Sequence, residues 1–232
     1  MSGENHNQTG LITKVERQKR SPHRYNIFVD ENFSFSVHED ILIKYRLMKG
    51  EQLEEAGLRQ ILHAEEANRA YLDAIRLLSN RLRSEHEMRA RLKQKGYDPD
   101  IVGKTMERLQ NEKYLDDELF AEQLTRQRLE SQKKGRYFIR QELQQKGIKK
   151  DTIHGAMELV DEETEFRMAF GLAEKRYASE LNRDPVKARP KIAGFLQRRG
   201  YPGSVVSRVL KQLSVGKQEE EEWDADEIGD EF

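Results

Sequence analysis

The residues of this 232-residue chain best suited to chemistry are cations, and they recur. Arg83, Lys134 and Lys187 share one column of an internal alignment. Lys95, Lys146 and Arg199 share a second, and Arg81, Arg128 and Arg176 a third. Residues 81–96 carry six basic against two acidic side chains, 133–150 seven against one, and 185–200 five against none. Lys and Arg at this density bind phosphates or carboxylates. Stacked units would line them up as a strip for a phosphate backbone or an acidic protein groove. The candidate contact residues are Arg81, Arg83, Arg89, Lys95, Lys133, Lys134, Arg136, Arg140, Lys146, Lys187, Arg198 and Arg199. Lys95, Lys146 and Arg199 have a second reading, as cations that solvate short helices and complement their C-terminal dipoles. The Lys133-Lys134-Gly135-Arg136 cluster reads better as functional.

Other chemistries find little support. Val102-Gly103-Lys104-Thr105 ends like a phosphate-binding loop, but position 98 is Asp98 where that loop needs glycine, and the segment reads as helix. The six histidines include no pair at i, i+4, and there is no cysteine, so no structural metal or disulfide is expected. No nucleophile elbow or nucleophile–base arrangement is present. The expectation is a binding protein without a catalytic site or cofactor. The start, Met1 to Gly10, is polar, and no run approaches a membrane span. Together with the lack of cysteine, this fits a cytoplasmic protein, and nothing suggests an obligate dimer.

The net charge of −1 conceals an asymmetry. From Lys217 to Phe232 there are nine acidic residues and one basic, which leaves 40 basic and 33 acidic in residues 1–216. A basic body of about +7 suits an acidic or polyanionic partner; the tail is either a solubilising end or something more. Trp223 stands inside it and could anchor it to a partner or to the body.

The elements that must position the cations also repeat. Leu92-Lys93-Gln94-Lys95-Gly96-Tyr97, Leu143-Gln144-Gln145-Lys146-Gly147-Ile148 and Leu196-Gln197-Arg198-Arg199-Gly200-Tyr201 align, with glycines 51 and 53 residues apart. Around them apolar positions agree: Met88, Ile139 and Ile192; Val102, Ile153 and Val206; Met106, Met157 and Leu210. This spacing predicts three repeats of three helices each, which bury their apolar faces together. Helices are expected near 70–82, 84–96 and 98–113; then 116–131, 136–146 and 150–161; then 163–181, 190–199 and 203–214. Ser84 with Glu87 makes a capping box, Gly96 a left-handed stop, Asp98-Pro99 a helix start, and Pro190 falls in a first turn. Most aromatic residues fall at apolar repeat positions and read as core.

Residues 11–38 differ. Leu11 to Val15, Tyr25 to Val29 and Phe33 to Val37 alternate with period two, with a turn at Asp30-Glu31-Asn32, so three antiparallel strands are expected. Ile41 to Lys44 reads as a short helix, and some helix must cover the sheet. Residues 52–82 are helical, as one helix or two. The expected fold is mainly α: tandem three-helix repeats behind a small antiparallel β-rich N-terminal domain. Its parts are 1–50 (sheet), 51–69 (linking helix), 70–113, 114–162 and 163–215 (repeats), and 216–232 (acidic tail).

Taken together, these residues resemble the RecX family, regulators of the bacterial RecA recombinase. The resemblance is carried by Ala74-Ile75-Arg76-Leu77-Leu78 with Arg81 and Arg83-Ser84, by Leu92-x-x-Lys95-Gly96-Tyr97, by Tyr114-Leu115-Asp116-Asp117-x-x-Phe120-Ala121, and most strongly by Gly135-x-x-x-Ile139-x-x-Glu142-Leu143-x-x-Lys146-Gly147-Ile148. It covers about 65–215, and the N-terminal sheet is similar to the extension of the longer Gram-positive members. The acidic tail is outside the family pattern. The resemblance implies a curved helical array lying in the groove of the RecA–single-stranded-DNA filament, lowering recombinase, ATPase and strand-exchange activity and limiting the SOS response. A stand-alone helix-turn-helix DNA-binding protein is the competing reading, weakened by acids among the cations of the third helices. A protein-only adaptor is a third.

Overall fold

The structure is a computed structural model and describes residues 9–213; the acidic tail and Trp223 lie outside the described residues. It divides into two compact units. The first comprises Met1–Arg83 with Met88–Leu115, and the second Ser84–Glu87 with Asp116–Phe232.

In the first unit, strands β1 (Gly10–Arg17), β2 (Arg24–Val29), β3 (Asn32–His38) and β4 (Gln52–Leu53) form one antiparallel sheet in the order β3-β2-β1-β4. Asp30 and Glu31 both have positive φ, so β2 and β3 are joined by a two-residue turn whose twist matches that of the strands. The fourth strand has only two residues, too few for alternation to show. Its place beside β1 is set by backbone bonding, as Ile12 N–H donates to the Glu51 carbonyl at 2.9 Å.

Helix α1 (Glu39–Lys44) follows the sheet. Helix α2 (Glu55–Asn80) is a single helix where the sequence allowed one or two. Its first half covers the sheet: Leu58 and Ile61 pack with Ile12, Ile27, Val29, Phe35 and Val37. Its second half, through Ala70 and Ala74, joins the core of the first repeat with Met88, Leu92, Ile101, Met106 and Leu109. One 26-residue helix therefore serves two cores, which is why no break is visible in its pattern.

Helices α3 (Glu85–Gln94) and α4 (Pro99–Asn111) complete the first repeat. Asp98 caps α4 with Pro99 in its first turn, as expected. In the second unit, α5 (Asp117–Arg126) runs into a π-helical turn (Gln127–Ser131), followed by α6 (Arg136–Gln145) and α7 (Lys150–Glu158). The third repeat is α8 (Glu162–Arg183), α9 (Pro185–Arg198) and α10 (203–213).

Pro190 departs from expectation. It sits inside α9, not in its first turn, because Asp184-Pro185 already starts the helix. The hydrogen bond that Pro190 cannot make would go to the Val186 carbonyl, on a residue that is 79% exposed.

The repeat alignment is a burial alignment. Met88, Ile139 and Ile192 are fully buried, as are Leu92, Leu143 and Leu196; Ala74, Ala121 and Ala169 match them on the first helices. Gly96, Gly147 and Gly200 all have positive φ, from 76° to 89°, ending each second helix. What surrounds them differs. A Cβ on Gly96 meets nothing within 4 Å, whereas on Gly147 it would strike the His86 side chain and on Gly200 the backbone of Phe138. Gly96→Ala should therefore cost only the left-handed backbone penalty, about 1–2 kcal/mol. Gly200→Ala should cost roughly 1–3 kcal/mol more from overpacking. Urea unfolding of the two variants side by side checks this, and equal losses would contradict it.

Candidate polyanion-binding site

The cations sort by what their neighbours do. In the second unit, the N-terminus of one repeat's second helix is held by the repeat that follows it. The Glu85 N–H, opening α3, donates to Asp117 Oδ1 at 2.9 Å. Fifty-one residues on, the Arg136 N–H, opening α6, donates to Glu165 Oε1 at 2.8 Å. Asp117 and Glu165 occupy the same position of α5 and α8, where α2 has Ala70. Burial pushes the Asp117 carboxyl above its ordinary range, against the lowering effect of the Glu85 N–H.

The glycine corners close the other side. The Ser84 hydroxyl accepts from Glu87 N–H, one half of the expected capping box, and donates to the Lys146 carbonyl at 2.7 Å. Lys146 Nζ reaches back to Glu87. At the second corner, Gly135 N–H donates to the Arg199 carbonyl at 2.9 Å and Tyr137 N–H to that of Gly200 at 3.0 Å. The Arg199 guanidinium donates to the carbonyls of Gln132 and Lys133, and the Tyr201 hydroxyl to Lys133 at 2.9 Å. Gly135 is glycine because a Cβ there would overlap the Gly200 backbone.

Several of the proposed contact residues are thus engaged within the fold. Arg136 binds Glu165, which is fully buried, through Nε at 2.6 Å. Lys95 pairs with Asp73 at 2.9 Å, and Lys187 with Asp184 at 3.0 Å. Burial alone would raise the Asp73 carboxyl, but bonds from Lys95 and Tyr97 outweigh it and hold it below its ordinary value. Arg128, in the same column as Arg81, makes a two-point bond to Glu142 at 2.7 and 2.6 Å. Arg83 Nε donates to the Leu77 carbonyl. Arg81, Arg89, Arg140 and Arg198 are exposed on separate helices or linkers. Lys134 lies over the Phe138 ring at 3.9 Å.

Lys133 and Arg199 do come together, and with cations the sequence did not single out as contacts. A groove of about 600 Å³ is lined by Lys133, Arg167, Lys175, Arg176 and Arg199, over a floor of Met168, Gly171, Leu172 and Phe195. No carboxylate lines it, and none of the five cations has an ion-pair partner among the described residues. Positions 168, 171, 172 and 175 form one stripe of α8. Arg176 and Arg199 stack on Phe195 at 4.7 and 5.3 Å. Lys133 holds a left-handed backbone (φ 52°), a conformation a β-carbon disfavours. Arg167 and Lys175 escaped notice because they have no counterpart in a repeat column; their signal is the 3.6-residue stripe on α8, readable only once α8 and α9 are known to pack together.

Four family models match in order along the chain. They are the regulatory protein RecX N-terminal domain (residues 10–54), and the first (70–109), second (116–157) and third (163–210) three-helix domains of RecX. The regulatory protein RecX of Halalkalibacterium halodurans is 33% identical over 219 residues, covering 93% of this chain and 82% of its own. The chain belongs to the RecX family. The RecX of Oceanobacillus iheyensis is 33% identical over 92% of this chain and 80% of its own length. A crystal structure of regulatory protein RecX aligns with a TM-score of 0.70 at 31% identity, over 86% of this chain and 98% of the other. That of RecX from Lactobacillus salivarius, 22% identical, shares the fold with a TM-score of 0.61 over 66% of this chain and 99% of its own. No helix among the described residues is long and apolar enough to cross a membrane.

The two kinds of cation in this chain predict different phenotypes. Arg136→Ala leaves the Glu165 carboxylate buried without its partner and should cost about 3–5 kcal/mol. Lys175→Ala, on an exposed and unpaired residue, should change stability by less than about 0.5 kcal/mol. Denaturant unfolding of both variants distinguishes them.

Proposed function

We propose that this chain binds the RecA–single-stranded-DNA filament and lowers its ATPase and strand-exchange activity, with the α8–α9 groove as a principal contact. The observation that carries this reading is the set of five cations, none with an ion-pair partner among the described residues, converging on one apolar-floored groove. In a chain with 36% charged residues, five cations of one sign around one groove repel one another, and an anion seated among them relieves that repulsion. DNA phosphates or an acidic face of RecA would supply that anion. Arg81, Arg89, Arg140 and Arg198 serve as outlying contacts. Many weak contacts along a periodic filament add through effective concentration, so no single site needs high affinity. Binding that favours an inactive or dissociating filament state then shifts the filament's population toward it.

The test is the single-stranded-DNA-dependent ATPase of the cognate RecA. The wild-type chain should inhibit below one molecule per RecA subunit, and Arg167→Glu/Lys175→Glu should need at least about tenfold more protein, since each reversed contact is worth on the order of 1 kcal/mol. These positions are preferable to Arg136, whose loss would damage the fold itself. Absence of inhibition at several-fold excess, with tight binding to naked DNA, would overturn the proposal in favour of stand-alone DNA binding.

A further inference from the structure

The α8–α9 groove has a candidate occupant in the same chain. Residues 217–232 carry nine carboxylates and one ammonium, together with Trp223, the only tryptophan of the protein. Five cations on an apolar floor, and a short polyanion bearing one large aromatic residue, are complementary in charge and in kind. Trp offers the most favourable ring face for a cation, and Arg176 and Arg199 already use the Phe195 ring in that way.

The length of the tether is adequate. Helix 203–213 belongs to the same bundle as the groove: Arg208 lies over the Phe166 ring of α8 at 3.9 Å and pairs with Glu163 at 2.7 Å. Ten residues separate 213 from Trp223, and extended they span roughly 33–36 Å. Helix α8, with 22 residues, is itself about 33 Å long, so the tether is comparable in length with the helix that lines the groove. A tether this short gives an effective concentration in the millimolar range, so even weak contacts fill the groove.

We infer that the acidic segment 217–232 occupies the α8–α9 groove of its own chain, with Trp223 on the Met168–Phe195 floor, and that a polyanionic partner must displace it. This rests on the groove being the partner-binding site proposed above. The tail then acts as a tethered competitor. It leaves dense, phosphate-rich targets accessible and screens out sparse ones, because only a partner that replaces many carboxylates at once gains enough.

Trp223 fluorescence in the full chain tests the docking without RecA or DNA. In low salt its emission should be blue-shifted and poorly quenched by acrylamide. Molar sodium chloride should shift it to the red and expose it. Gly171→Glu should do the same in low salt: its Cβ meets nothing within 4 Å and a helix accepts Glu readily, so the fold is kept while the floor gains bulk and negative charge. Emission that is solvent-exposed in low salt and unchanged by Gly171→Glu would overturn the inference. So would a shift that depends on protein concentration, which would place the tail on a second copy. In the ATPase assay, replacing Glu219, Glu220, Glu221 and Glu222 by Gln should lower the concentration needed for inhibition by about tenfold. Tail release by Gly171→Glu without any effect of Arg167→Glu/Lys175→Glu on RecA would leave the docking standing and remove the groove's proposed role.

Discussion

The second unit depends on how the start of one helix is held. The first N–H groups of a helix have no partner within it, and a buried one costs as much as a lost hydrogen bond. Here the exposed-donor problem of α3 and α6 is solved by the following repeat, with a carboxylate from its first helix and a glycine corner from its second. Gly135 and Gly200 lack a Cβ because two backbones approach closely there, and Gly147 because the His86 side chain lies against it. Cores of modest size can then suffice, since the starts of α3 and α6 are each held by hydrogen bonds from the repeat that follows.

That arrangement explains why the cations of one sequence column find different partners in different repeats. Lys146 and Arg199 are the corner's own basic residues, reaching across it. Lys95 has the same position in the first repeat, but there Ala70 replaces the carboxylate and Gly96 faces open space, so Lys95 turns to Asp73 on its own repeat's first helix. Repetition in sequence therefore marks what the repeats do to one another. Sites facing outward are freer to break the repeat, as Arg167 and Lys175 do.

The legibility of the chain follows from the same division. The apolar columns were readable because every repeat must bury Met88, Ile139 or Ile192 in the same way. The hairpin was readable because alternation and turn residues act locally. Strand β4 was not, since two residues hold too little pattern, nor was the continuity of α2, whose apolar face changes partners midway. Among the candidate contacts, sequence showed the charge but not the partner. Arg136 and Lys133 stand three residues apart in one basic cluster, yet one is held by a buried carboxylate and the other opens onto a groove.

The borrowed helix cap also gives the chain a direction in time. A ribosome delivers the N-terminal part first. When the segment from Arg136 emerges, Glu165 is 29 residues from being available, and Asp117 trails Glu85 by 32. Each of the first two repeats thus leaves the exit tunnel with its second helix unfinished at one end and is completed by about thirty residues of further synthesis. A ribosome stalled before Glu165 emerges would hold a chain whose α6 still lacks its clasp.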